Sequence, residues 1–148
     1  MNKTIWILPL LLMACAQQNV NPNTCQHWLF GRYDERLKLQ NNSNYVITPS
    51  LQYDYPDTST TIYNTTSYYE AYGQQIANPG QSLTISSREC WETSFDEIPS
   101  HKLQVFIYDA SLFNKMSWDS IAAKHLYLKR YVFTEDSLKS LHWVITYP

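Results

Sequence analysis

Tyrosine is the residue type with the densest binding chemistry in this sequence. Seven tyrosines fall within the 28 residues from Tyr45 to Tyr72. Each offers a flat apolar face and a hydroxyl, which suits stacking on a sugar ring or docking a protein partner. The polar stretch 54–78 has no Lys or Arg and is typical of a long loop, where binding residues tend to lie. The predicted ligand contacts are Tyr63, Tyr68, Tyr69 and Tyr72. In the alternative, these tyrosines pack a sheet and keep their hydroxyls at its rim.

Carboxylates and histidines give no catalytic or metal-binding signature. An acidic stretch holds four carboxylates at Glu89, Glu92, Asp96 and Glu97, but a glycosidase needs two across a cleft, one of them with a raised pKa. The four histidines are scattered, and no two of them have metal-ligand spacing. We therefore predict a protein that is not an enzyme, with no catalytic residue, no metal site and no cofactor.

Length and charge exclude two further classes. The chain has 148 residues, which favours one domain. Its formal net charge of −2 argues against a nucleic-acid binder, which would carry a basic face. Only three glycines are present, so a glycine-rich phosphate loop is excluded.

The first fifteen residues, MNKTIWILPLLLMAC, predict export. Lys3 precedes an apolar run, Ile5 to Ala14, that is shorter than the roughly 20 residues of a membrane-spanning helix. Leu12-Met13-Ala14-Cys15 resembles the lipobox of bacterial lipoproteins. The resemblance implies that residues 1–14 are a signal peptide and that Cys15 is lipidated as the new N-terminus. The alternative is an ordinary secretory peptide that contains a cysteine.

The lipoprotein resemblance also predicts a location. Residues 15–26 then form a lipidated flexible tether, because they carry no charge and little apolar bulk. The residue after Cys15 is Ala16 rather than Asp, which in lipoproteins implies delivery to the outer membrane. The lack of an early acidic cluster favours the periplasmic face, with the cell surface as the alternative.

Once Cys15 is acylated, Cys25 and Cys90 remain as one pair. In an oxidising envelope such a pair favours a disulfide. The alternative is a buried free thiol at Cys90 beside Trp91, with Cys25 as a tether residue.

The elements that must position these residues are mostly strands. A hairpin is predicted from 35–40 and 45–53, which are joined at Asn41 to Asn44. Further strands are predicted at 82–87, 90–95, 102–109, 127–133 and 143–147, the strand 102–109 being apolar on both faces and therefore central. Short helices are predicted to begin after Ser117 and after Thr134.

These patterns predict a single β-rich domain at 27–148. The expected fold is all-β, an immunoglobulin-like β-sandwich with one or two short helices near the C-terminal third. The alternative is an α+β fold with one helix on a face of the sheet. The segments FIYDA (106–110), LKRY (128–131) and WVITYP (143–148) resemble a group of small uncharacterised lipoproteins of Gram-negative gut anaerobes. That resemblance implies no activity, ligand or catalytic residue.

We therefore expect an outer-membrane lipoprotein with a non-enzymatic binding or envelope-assembly role. Its partners would be the membrane, through the lipid anchor, and a glycan or an envelope protein. One alternative is a scaffold or accessory subunit that pairs with a protein partner through a sheet edge. The other is a glycan or peptidoglycan hydrolase that uses the acidic residues.

Overall fold

The computed structural model describes residue 25, residues 33–57 and residues 75–148. Six strands lie in these ranges: β1 (Asp34–Asn41), β2 (Ile47–Gln52), β3 (Ser82–Ser87), β4 (Leu103–Asp109), β5 (Lys129–Phe133) and β6 (Val144–Tyr147). The helices are α1 (Trp91–Glu97), α2 (Trp118–Ala123) and α3 (Glu135–Ser140), with a 3-10 helix at Ala110–Asn114. The predictions for the signal peptide, for Cys15 and for Tyr63, Tyr68, Tyr69 and Tyr72 fall outside the described residues.

The strands form two small sheets of three strands each. The first sheet has the order β3–β1–β6, with β1 antiparallel to β3 and parallel to β6. The second sheet has the order β2–β4–β5 and is antiparallel throughout. This mostly-strand arrangement with few short helices is α+β-like, and it fits the alternative fold class predicted above.

Strand β4 lies at the centre of the second sheet, and its two faces are buried against different layers. Leu103, Val105 and Ile107 point into a core shared with Leu37 and Leu39 of the first sheet. On the outer face, Phe106 and Tyr108 pack against Ile121 and Trp118 of α2. Full burial of such side chains contributes about 1.5–3 kcal/mol each. The prediction of a central strand that is apolar on both faces is confirmed.

The predicted hairpin is wrong. Its two strands belong to different sheets, because β1 pairs with β3 and β6 while β2 pairs with β4. The buried side chain of Asn41 explains the change of direction. Its Nδ2 donates to the carbonyls of Tyr45 and Ala77, at 2.7 and 2.8 Å. Its Oδ1 accepts from the backbone N–H and the hydroxyl of Ser43. These bonds occupy the turn and tie it to residue 77, so the chain crosses between sheets.

The predicted strand at 90–95 is also wrong, because Trp91–Glu97 is the helix α1. Trp91 and Phe95 are four residues apart and both are buried in the shared core. That spacing places both rings on one face of a helix, whereas a strand would place them alongside Thr93 on one face of the sheet.

The predicted helix starts are confirmed. The hydroxyl of Ser117 accepts from the N–H of Ser120. Thr134 and Ser137 form a reciprocal capping box at the start of α3. Each cap satisfies backbone donors that a helix of six residues cannot pair internally.

We expect Asn41→Ala to lower the free energy of unfolding by about 3 kcal/mol, because the four hydrogen bonds made by the buried Asn41 amide are lost. Urea unfolding followed by tryptophan fluorescence measures this. Asn42→Ala is the matched control, since Asn42 is exposed and its loss should change stability by less than about 0.5 kcal/mol. Equal effects of the two substitutions would contradict the role given to Asn41.

Candidate functional site

A disulfide joins Cys25 to Cys90, with the Cα atoms 5.6 Å apart and 65 positions between them in sequence. A loop of that length contributes about 4 kcal/mol in the chain-entropy model. Cys90 is the N-cap residue of α1, and its side chain does not cap the helix. The bond therefore fixes Cys25 to the start of α1.

Beside the disulfide lies a charged group that we name the Arg36 cluster, made of Asp34, Arg36, Glu92 and Trp143. The Arg36 guanidinium donates to Asp34 through Nε at 3.0 Å and Nη2 at 2.6 Å. It also donates to Glu92 through Nη1 at 2.9 Å, and its Cζ lies 4.5 Å from the Trp143 ring centroid. Asp34 accepts the backbone N–H of Trp91 at 3.1 Å, so a carboxylate of β1 caps the helix α1. The cluster ties β1, α1 and the start of β6 together.

The electrostatics of the Arg36 cluster suit a structural role. Burial acts to raise the pKa of Asp34, but hydrogen bonds from Arg36 and from the Trp91 N–H outweigh it and lower that pKa. Burial and Arg36 oppose each other in the same way at Glu92, whose pKa is also lowered. A general acid at neutral pH needs a raised pKa. The environment of Glu92 is therefore the reverse of what a general acid requires.

The cysteines bear on metal binding as well. Among the described residues, Cys25, Cys90 and Glu92 are the only three potential metal ligands with ligand atoms within 4.8 Å of one another. The two sulfurs are bonded to each other, so neither is a thiolate that could bind a metal ion.

Three of the four histidines occupy backbone positions that usually belong to glycine. His101, His125 and His142 have φ angles of 50°, 51° and 52°. His125 and His142 directly follow α2 and α3, where the next residues, Leu126 and Trp143, donate back into the helix. This is the Schellman arrangement, which favours glycine at the left-handed position. These histidines terminate helices and turns rather than assemble a site.

A second polar group lies on the outer face of the second sheet, and we name it the Tyr55 cluster: Tyr55, Lys102, Gln104 and Arg130. Lys102 Nζ lies 4.4 Å from the Tyr55 ring centroid, and Arg130 Cζ lies 5.8 Å from the same centroid. The fully buried Gln104 accepts from Arg130 Nε at 2.9 Å. It also donates through Nε2 to the carbonyl of Asp57 at 2.9 Å.

Two hydrogen bonds hold residues 57 and 75 on the second sheet. Gln104 binds the Asp57 carbonyl, and Thr48 donates through its hydroxyl to the Gln75 carbonyl at 2.8 Å. The register pairs Thr48 with Tyr108 and Gln52 with Gln104, so both anchors lie on the same face of the second sheet. Residues 57 and 75 are thus both fixed to the face that carries the Tyr55 cluster.

Comparisons of the chain with protein-family models, with curated proteins and with solved structures found no match. No helix among the described residues is long and apolar enough to cross a membrane.

Sequence reasoning did not single out Lys102, Arg130 or Arg36. Arg130 and Phe106 are paired in the register of β5 and β4, and Arg36 meets Glu92 across 56 positions. Both contacts depend on strand order, which no local pattern contains. The one sequence feature that pointed to Arg130 is its position beside Lys129, which interrupts the alternation of apolar and polar residues in a short predicted strand.

We expect the Arg36 cluster to make the fold sensitive to acid. Asp34 and Glu92 have lower pKa values in the folded protein than in the unfolded chain, so their contribution is complete above about pH 5 and is lost as the pH falls through the folded pKa. Asp34→Asn should cost about 3 kcal/mol at pH 7, since the Asp34 side chain is 2% exposed.

Denaturant unfolding at a series of pH values measures this. The exposed Asp96 provides the control, and Asp96→Asn should retain the acid sensitivity of the wild type. Asp34→Asn should show a flatter dependence below pH 5. If the free energy of unfolding depended on pH in the same way for the wild type and Asp34→Asn, Asp34 would not be a source of the acid sensitivity.

We expect His125→Gly to raise the free energy of unfolding by about 1 kcal/mol, because glycine adopts the left-handed conformation without the penalty of a Cβ. His101→Gly is the comparison, since His101 Nδ1 also hydrogen-bonds the Phe95 carbonyl at 3.0 Å and that bond would be lost. Thermal unfolding compares the two. Destabilisation by His125→Gly would refute the helix-terminating role.

Proposed function

We propose that this chain is an outer-membrane lipoprotein whose single domain has a non-enzymatic binding role. The domain would be held at the membrane through Cys15, on the periplasmic face or at the cell surface. The tyrosine-rich polar stretch 54–78 and the Tyr55 cluster would form the binding surface, with a glycan or an envelope protein as the partner.

The disulfide is the observation that carries the proposal. Disulfides persist in oxidising compartments such as the periplasm and are rare in the cytosol. The Cys25–Cys90 bond accounts for two of the three cysteines in the chain, and Cys15 is the third. That division is the one a lipoprotein needs, because the acylated thiol must remain outside any disulfide.

The spacing between Cys15 and Cys25 supports an anchored domain. Ten residues separate them, and a fully extended chain of that length spans at most about 35 Å. The disulfide would connect the anchored end of the chain directly to α1. The domain would therefore stay within about 35 Å of the lipid surface. Several acyl chains together make such an anchor stable.

The binding role is supported by the Tyr55 cluster and by the state of Glu92. The Tyr55 cluster places an aromatic ring and two cations on one face of the second sheet. The carboxylate of Glu92 is bound to Arg36 and has a lowered pKa, which is the reverse of a general acid. The accessory-subunit alternative draws on β6, which lies at an edge of the first sheet. The finer fold assignment, an immunoglobulin-like sandwich, remains a prediction.

Expression of the full chain in a Gram-negative host tests the anchor. We expect the wild type in the outer-membrane fraction and Cys15→Ser in the soluble periplasmic fraction after export. The double variant Cys25→Ser with Cys90→Ser is the control, because it loses the disulfide but keeps the lipid acceptor. Retention of Cys15→Ser in the membrane fraction would overturn the proposal.

A further inference from the structure

We propose that the Tyr55 cluster is a subsite for a carboxylate group on an acidic sugar chain. This rests on the binding role proposed above and names the ligand class for it.

Arg130 is held in place by neutral groups. Its Nε donates to Gln104, and Gln104 is itself fixed by the Asp57 carbonyl. The guanidinium lies 5.8 Å from the Tyr55 ring and 5.9 Å from the Phe106 ring. These contacts set the orientation of the side chain before any ligand binds, which lowers the entropy cost of binding.

The outer end of Arg130 keeps its hydrogen-bonding capacity. A guanidinium has five N–H donors, of which Nε uses one here. Within the described ranges no acceptor meets the four donors on Nη1 and Nη2. A planar pair of donors at that end matches the two oxygens of a carboxylate.

Lys102 places a second cation against the Tyr55 ring. Its Nζ and the Arg130 guanidinium both lie over Tyr55, so they are at most about 10 Å apart. Among the described residues, no carboxylate lies within 4.0 Å of either cation, whereas Arg36 is bound by two. The Tyr55 cluster thus presents two partly buried positive charges that form no ion pair with a carboxylate of the described residues, and an anionic ligand would supply one.

Two further features favour a carboxylated sugar over a phosphate. Asp54 directly precedes Tyr55 in the chain and is exposed, so a dianionic phosphate would be repelled more strongly than a single carboxylate. Tyr53, two residues before Tyr55, is 43% exposed. An aromatic side chain with an exposed part at this position suits contact with the apolar face of a sugar ring.

Calorimetry on the lipidated full chain in detergent tests the subsite. The probe is a hexamer of galacturonic acid, and its match is the same hexamer with each carboxylate reduced to a hydroxymethyl group. We expect the wild type to bind the acid form at least tenfold more tightly than the reduced form. Arg130→Gln should weaken binding of the acid form at least tenfold and remove the difference between the two sugars.

Two variants make the result specific. Lys102→Gln should also weaken binding of the acid form, and it remains informative if Arg130→Gln fails to fold, because no hydrogen bond of the Lys102 side chain is found in the described part of the chain. Lys124→Gln, at the exposed end of α2, removes the same charge elsewhere and should leave binding unchanged. Thermal unfolding of each variant separates loss of binding from loss of fold.

The subsite is overturned if the wild type does not bind the acid hexamer, if it binds both hexamers equally, or if Lys102→Gln binds as tightly as Lys124→Gln. Tighter binding of a phosphorylated hexose chain or of a poly-glutamate peptide would also overturn it. These failures are distinct from failure of the proposed function, because membrane fractionation of Cys15→Ser is measured without any sugar.

Discussion

The burial of β4 on both faces is the constraint on which the rest of the structure depends. A strand of seven residues with apolar side chains on both sides must be covered twice. The first sheet, together with α1 and α3, covers the face with Val105, and α2 with the 3-10 helix covers Phe106 and Tyr108. Neither layer is long enough to form a core alone, so both depend on the strand between them.

The elements around β4 are short, and the chain stabilises them through contacts from outside each element. The helices have six or seven residues, too few to be stable alone. The helix α1 is fixed by a disulfide at its first turn and capped by Asp34 of β1. The buried Asn41 stabilises the crossing between the two sheets in a similar way, because its amide group forms four hydrogen bonds to backbone or hydroxyl groups. Polar groups with complete hydrogen bonding thus set the connections, while apolar burial supplies the free energy.

Much of this fold follows from local patterns, and the parts that do not follow are non-local. The alternation at 102–109 and the caps at Ser117 and Thr134 are properties of neighbouring residues, and the corresponding elements were predicted correctly. The hairpin failed because turn residues and flanking β-formers do not show that Asn41 binds Ala77, 36 positions away. The strand at 90–95 failed because aromatic content outweighed the four-residue spacing of Trp91 and Phe95. The predicted tyrosine contacts lie outside the described residues. Lys102 and Arg130 were not singled out, because the pairing of β4 with both β2 and β5 brings them to Tyr55.

Arg36 and Arg130 show why the same residue type leads to different conclusions at two places in one fold. The carboxylates of Asp34 and Glu92 neutralise the charge of Arg36. The ion pairs that Arg36 forms therefore stabilise the contact between β1 and α1. Arg130 is oriented by the amide of Gln104 and by two rings, none of which carries a formal charge. A guanidinium that is positioned by neutral groups keeps its attraction for an anion, and this is the basis of the carboxylate subsite proposed above. The charge of the partners, rather than the presence of an arginine, is what separates a structural cation from one available to a ligand.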